Sequence, residues 1–239
     1  MPDFRSHRGA HPGDEQMFAP DQVPAMRQAT EELCWLLSRG YVETSALKLV
    51  GDRHGLRARQ RQAVSRSACT DEQRGFRRAR LTEVHRLRAQ AMSIDAFNVL
   101  ISLEAWLSGG VLLRGRDGAL RDLASVHGSY RSVKETEPAL QLLAQLLKRW
   151  APSIVTVLFD RPVSNSGRIA ALARAFLDAA QVPAQVRCVP NPDPELVSGP
   201  GVVASADRWV LDRANAWIDL PGAVIEQCGS PEPWLIDLT

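Results

Sequence analysis

From Ala25 onward the apolar residues recur at helical spacing: Ala29, Leu33, Leu36 and Leu37 fall on one face, and Gly40 follows Arg39 as a helix-ending residue. A second short helix is predicted over 44–50, ended by Gly51, and a third over 56–66, entered from Gly55. Residues 1–24 are rich in Pro, Gly, His and Asp and have no apolar period, which predicts a flexible leader. The short helices joined by Gly-Asp-Arg-His-Gly have the outline of a helix-turn-helix, so residues 25–70 read as a small all-helical basic domain. A further basic helix predicted over 71–90, with Val84, Leu87 and Ala91 on one side, connects it to the rest.

Beyond residue 90 the period changes. Ala91-Met92-Ser93-Ile94 reads as a strand leading into Asp95, after which Val99, Leu100, Leu103, Trp106 and Leu107 continue at helical spacing to Gly109-Gly110. Residues 154–159 form a continuous β-branched and apolar run, the pattern of a strand covered on both faces. Helices are predicted over 136–150, 166–180 and 208–214, and strands over 185–189, 202–204 and 217–218. The stretch holding Asp117-Gly118 and Arg121-Asp122 reads as irregular. Alternating strands and helices predict an α/β domain over 91–239, with a parallel sheet flanked by helices.

Charge sharpens this division. Of 239 residues, 45% are hydrophobic and the net charge is only +2. Residues 1–50 hold five basic and seven acidic side chains, 51–90 hold eleven and four, and 91–239 hold thirteen and sixteen, giving blocks of −2, +7 and −3. All eleven bases of the middle block are arginines, which suggests an anionic partner there or solvated helix faces. Arg57, Arg59, Arg61, Arg66, Arg77 and Arg78 are the candidate phosphate-binding residues. No apolar run approaches the roughly 18 residues of a membrane span, and no signal-peptide core is visible near the N-terminus, so a cytoplasmic, membrane-free protein is expected. Cys34, Cys69, Cys188 and Cys228 are widely spaced and read as incidental thiols.

Ligands of open parallel sheets bind outside the carboxyl ends of the strands. Three predicted strands deliver an aspartate there: Asp95, Asp160 and Asp207. Converging carboxylates repel unless a proton or cation offsets them, and Mg²⁺ or Mn²⁺ suits such oxygen donors. Asn98 is placed either to orient Asp95 or a metal-bound water, or to cap the following helix. Ser164 and Ser166 are placed to hold a phosphate at a helix N-terminus or simply to cap it, and Ser205 to bind phosphate or a metal water. Asp122, or in its place Asp117, offers a fourth carboxylate, and Arg121 or Arg131 a phosphate contact.

The segments Leu36-Leu37-Ser38-Arg39-Gly40-Tyr41, Ala46-Leu47-Lys48-Leu49-Val50-Gly51-Asp52-Arg53 and Gln60-Arg61-Gln62-Ala63-Val64-Ser65-Arg66 resemble the prokaryotic family known as domain of unknown function 434. The second half, through Asp95-Ala96-Phe97-Asn98, Asp160-Arg161-Pro162-Val163-Ser164-Asn165-Ser166-Gly167 and Ser205-Ala206-Asp207, is similar in layout to the Rossmannoid PIN and NYN nucleases. That resemblance implies a metal-dependent nuclease, a ribonuclease, with Asp95, Asp160 and Asp207 as metal ligands, Asp122 and Asn98 completing the catalytic set, Ser205 in support, and RNA as the partner. Ala96 stands where the resemblance leads one to expect Gly, and the spacing of Asp117 and Asp122 departs from the PIN acidic pattern. The alternative is a non-catalytic nucleic-acid-binding or regulatory protein whose sheet domain supports a homodimer or senses a small molecule.

Other chemistries lack their residues. No GxGxxG or GxxxxGK motif points to NAD or ATP. Phe97 occupies the position where aspartyl-nucleophile phosphatases place their second Asp. His54 and His127 read as turn or surface residues, with no Ser-His-Asp arrangement evident.

Overall fold

The structure, a computed structural model, describes residues 7–124 and 130–239; His127 lies outside them. Helices α1 (Asp14–Met17), α2 (Val23–Leu37), α3 (Glu43–Arg53), α4 (Ala58–Ser67) and α5 (Asp71–Ala79) come first. Thr70 caps α5, accepting the Gln73 N–H at 3.1 Å while Gln73 reaches back to the Thr70 N–H at 3.0 Å, so two orphan donors are satisfied at once. The helix ends well short of the predicted residue 90. The chain beyond it joins a sheet edge, where the Trp217 N–H donates to the Arg80 carbonyl and the Thr82 N–H to the Trp217 carbonyl. Pairing with a strand some 140 residues away overrides the local helical pattern, and only a 3-10 turn at Val84–Leu87 follows.

The leader also packs. Phe18 is buried, and the fully buried Asp14 accepts both Nε and Nη2 of Arg59. Arg8 donates to the buried carboxylate of Glu104. A segment held by single anchors, with no repeat, leaves no periodic trace in sequence.

The α/β half runs β1 (Ala91–Asp95), α6 (Ala96–Leu107), β2 (Val111–Arg114), β3 (Leu120–Asp122), α7 (Thr136–Trp150), β4 (Ile154–Asp160), α8 (Ser166–Ala179), β5 (Ala184–Val189), α9 (Asp193–Ser198), β6 (Val202–Ala204), α10 (Arg208–Leu211), β7 (Trp217–Ile218), α11 (Leu220–Cys228) and β8 (Trp234–Asp237). All five predicted strands form one parallel sheet in the order β5-β4-β1-β6-β7. Its faces are covered differently. Met92, Ile94, Val155, Val157 and Phe159 pack with α6, α7, α8 and α11, while Leu158, Val189, Val203 and Trp217 pack with Leu196 of α9 and with Val210 and Leu211 of α10. No helix among the described residues is long and apolar enough to cross a membrane.

The stretch read as irregular is a hairpin: β2 pairs antiparallel with β3 and parallel with β8, making a second sheet. Its residues alternate in side, Leu112 and Leu120 joining the main core, and Val111, Leu113, Leu123, Ile236 and Leu238 joining the cluster of Phe18, Met26, Leu33, Val50 and Val64. The second sheet is thus a shared wall, and the helical half completes its core with residues from the chain's far end.

Gly201 enters β6 at φ +87°, and a Cβ there would lie 1.9 Å from the Ala91 carbonyl oxygen. Both strain and a backbone clash oppose any side chain, so Gly201→Ala is expected to cost at least about 3 kcal/mol, measured by denaturant unfolding. A loss below about 1 kcal/mol would show that β6 can shift away from β1.

Candidate active site

In sheet order the strands β5, β4, β1, β6 and β7 are each followed or ended by an aspartate: Asp193, Asp160, Asp95, Asp207 and Asp219. The chain leaves β1 toward β4 and β5 on one side, then returns to β6 on the other. The switch point of the sheet therefore lies between β1 and β6, where such folds open a crevice.

Asp95 sits there, 7% exposed. Ser205, just past β6, bridges the switch point: its hydroxyl donates to Asp95 Oδ2 at 2.8 Å and accepts the Asp207 N–H at 3.0 Å. Asn98 Oδ1, from the first turn of α6, accepts the Ala206 N–H at 2.8 Å, and Arg121 Nε donates to the Ala206 carbonyl at 3.1 Å. The Ser205-Ala206-Asp207 turn is held from both sides. No cationic side chain among the described residues pairs with Asp95. Burial, together with the like charges of Asp160 and Asp207, pushes its carboxyl up to about 7. Burial also raises Asp160, and Asp193 is raised by burial and by the charges of Asp207 and Asp160.

The strand-end aspartates Asp95, Asp160 and Asp207 are thus electrostatic neighbours, and Asp193 joins them. Asp193 was missed because it lies four residues past the end of β5, at the start of a short helix between Pro192 and Pro194; the strand-end rule applied to that loop would have found it. Asp207 also caps α10, its Oδ1 accepting the N–H groups of Trp209 and Val210 at 2.8 and 3.2 Å. Among the described residues no three His, Cys, Asp or Glu side chains gather closely enough to form a ready-made metal cage. The donor set is all oxygen and includes the buried Asp95 carboxyl, which has no cationic partner among the described residues. That fits a hard ion held by one or two carboxylates plus water and substrate oxygens better than a closed protein cage.

Asp122, at the end of β3, has partners of its own. Its Oδ2 accepts the Ser102 hydroxyl at 2.8 Å, its Oδ1 accepts the Ala124 N–H at 2.8 Å, and Arg66 lies 3.6 Å away. These bonds fix the β3 end, a role hidden while the hairpin went unrecognised. Asp117 takes both nitrogens of Arg121 at 2.8 and 2.7 Å and Nη1 of Arg77 at 2.7 Å. Burial alone would raise its carboxyl, but the two guanidiniums hold it well below the usual carboxylate range.

The arginine block is divided: Arg77 is buried, Arg59, Arg61, Arg66, Arg74 and Arg80 are half-buried, and Arg53, Arg57, Arg78, Arg86 and Arg88 are exposed. Arg59 binds Asp14, Arg61 binds Asp52 at 2.8 Å, Arg66 donates to the Asp122 carbonyl at 2.6 Å, and Arg77, 0% exposed, binds Asp212 and Asp117. These four guanidiniums have intramolecular partners, because acids scattered along the chain converge on them. Arg57, Arg78 and Arg131 lie on the surface. Ser164 is exposed, whereas Ser166 is buried and its hydroxyl donates to the Arg161 carbonyl at 3.3 Å. All four cysteines are free; burial pushes Cys69 up to about 12 and raises Cys34, leaving both thiols unreactive.

Residues 84–223 match the family described as Domain of unknown function (DUF5616), and residues 25–80 match Protein of unknown function (DUF434). The chain is 31% identical over 204 residues to "Uncharacterized protein MJ0935" of Methanocaldococcus jannaschii, covering 84% of this chain and 97% of that protein. No solved structure matches. The strand-end carboxylates and the α/β sheet carrying them lie within the 84–223 match, and the chain belongs to the DUF5616 family, with a DUF434 region ahead of it.

Proposed function

We propose that this chain is a divalent-metal-dependent phosphodiesterase of nucleic acid, a ribonuclease. The observation that carries the reading is Asp95: a buried carboxylate at the switch point of a parallel sheet, beside Asp160 and Asp207, without a cation of its own. Ionising Asp95 in this buried position beside two further acids is costly, and a cation supplied from outside would offset that cost. Asp95 and Asp160 would hold Mg²⁺ or Mn²⁺, with Asp207 at the edge. When bound, such an ion supplies a water of lowered pKa and neutralises charge on the scissile phosphate.

The chain's own groups prepare this site. Ser205 fixes the rotamer of Asp95 and, through the Asp207 N–H, the turn that carries the second acid. Asn98 and Arg121 clamp that turn through both polar groups of Ala206. Asp95 keeps its proton when the site is empty and yields it when a cation arrives, which couples loading to pH. The similarity in layout to PIN and NYN nucleases supports the same chemistry. Arg59 and Arg66 of α4 are engaged with Asp14 and the Asp122 carbonyl, which leaves less of α4 to read a groove, so the hydrolase is favoured over a helix-turn-helix regulator.

The test is direct. Purified chain incubated with end-labelled single-stranded RNA in Mg²⁺ or Mn²⁺ is expected to cut it, and EDTA to stop the reaction. Intact RNA and single-stranded DNA across a broad set of sequences, with either metal, would overturn the reading.

A further inference from the structure

We propose that Trp209 is a stacking platform for an unpaired nucleobase of the strand whose backbone lies at the Asp95–Asp207 site. This rests on the nucleic-acid reading above and adds to it how the strand is held. Trp209 is 42% exposed, whereas Trp106 and Trp217 are buried with their indole N–H groups bonded to the carbonyls of Pro231 and Arg77, both at 2.7 Å. The ring of Trp209 therefore serves no comparable place in the core. It lies two residues past Asp207, and the Asp207 carboxylate accepts its backbone N–H at 2.8 Å, so indole and acid share one turn.

That turn is rigidly mounted. Arg208 forks onto Glu43 at 3.2 Å, its carbonyl accepts Arg77 Nη2 at 3.4 Å, and Val210 and Leu211 are fully buried. The indole is presented to solvent from a fixed base, so little side-chain order remains to be imposed on binding. Arg213 lies over the ring, its guanidinium 4.2 Å from the centroid, and donates to the Trp209 carbonyl at 3.1 Å.

The chemistry fits a single strand. Carboxylates repel phosphates, so a strand approaching them gains from a hold that does not depend on charge. A base stacked on indole adds affinity without regard to sequence, because every base has a π-face. Arg213, held over one face of the ring, adds a cation there for the neighbouring phosphate, and the base takes the opposite face. Paired bases cannot reach the ring, which selects unpaired strands. Stacking ignores the 2′-hydroxyl, so RNA and DNA strands of one sequence should depend on Trp209 equally.

The experiment measures fluorescence anisotropy in EDTA, where no cleavage occurs, using labelled single-stranded RNA, the matching DNA, and an abasic phosphodiester strand of equal length. Wild-type chain is expected to bind the base-bearing strands about tenfold more tightly than the abasic one. Trp209→Ala should remove that preference without changing abasic binding, and Trp209→Phe should keep most of it. Trp35→Ala provides the control, since Trp35 is also exposed under an arginine, Arg39, but belongs to α2 of the helical half. A base preference that survives in Trp209→Ala, or is lost equally in Trp35→Ala, overturns the platform alone. Wild-type chain that binds no strand overturns both the platform and the nucleic-acid reading beneath it.

Discussion

Asp95→Asn is expected to lower RNA cleavage by at least about a hundredfold while making the metal-free protein more stable at pH 8. Both effects come from one cause. In the folded chain the Asp95 carboxyl holds its proton up to about 7, where an unfolded aspartate releases it at 3.8. Between those values the native state binds more protons than the unfolded one, so stability falls as pH rises through this window. Below it both states are protonated and the difference vanishes. Asn never ionises and escapes the penalty. Thermal unfolding in EDTA should therefore show similar midpoints for wild type and variant at pH 4. At pH 8 the variant should gain on the order of 2–4 kcal/mol, or several degrees. Adding Mg²⁺ at pH 8 should raise the wild-type midpoint by mass action and leave the variant's unchanged. A variant less stable than wild type at pH 8 would mean that Asp95 is a satisfied structural acid.

Arg77→Ala is expected to cost about 3–5 kcal/mol, the range for removing one partner of a buried ion pair. Arg77 has no solvent exposure; Nε donates to Asp212 and Nη1 to Asp117, each at 2.7 Å, and its carbonyl accepts the Trp217 indole. Its loss leaves Asp117 buried with Arg121 as its remaining cation. Because Asp117 is held below its ordinary range, its contribution is present above the unfolded carboxylate pKa and disappears as pH falls through the folded value. Losing one guanidinium moves that folded value upward, so the variant should unfold at a higher pH on acid titration. Arg78→Ala, next in sequence but exposed, should change stability by less than about 0.5 kcal/mol. Equal costs for the two variants would refute the assignment. The Ser205-Ala206-Asp207 turn should also loosen in Arg77→Ala, since the Asp117–Arg121 pair carries the bond to the Ala206 carbonyl.

These two variants also separate what sequence reveals from what it conceals. Asp95, Asp160 and Asp207 were legible because parallel strands are short apolar runs, and the position after such a run faces the ligand-binding edge whatever the rest of the chain does. The partners of the arginines were not legible. Asp14, Asp117, Asp122 and Asp212 are separated from Arg59, Arg77 and Arg66 by tens of residues, up to 135 for Arg77 and Asp212. Charge counting sees eleven arginines but cannot distinguish a solvated face from a neutralised interior. The second sheet was hidden for a similar reason: β3 has three residues and β8 pairs with β2 across more than a hundred, too short and too distant for any local period. Once the hairpin is missed, Asp122 looks like a loop acid.

The pairing of β8 with β2 also bears on how the molecule is made. The arginine-rich helices leave the ribosome well before β8, yet Ile236 and Leu238 complete the core on which those helices pack. Order of emergence and order of assembly therefore run opposite. The helical half stays without part of its apolar floor until the final strand is released, and contacts between such distant positions slow the search for the native state. For this protein β8 supplies a closing step of folding for helices synthesised well before it.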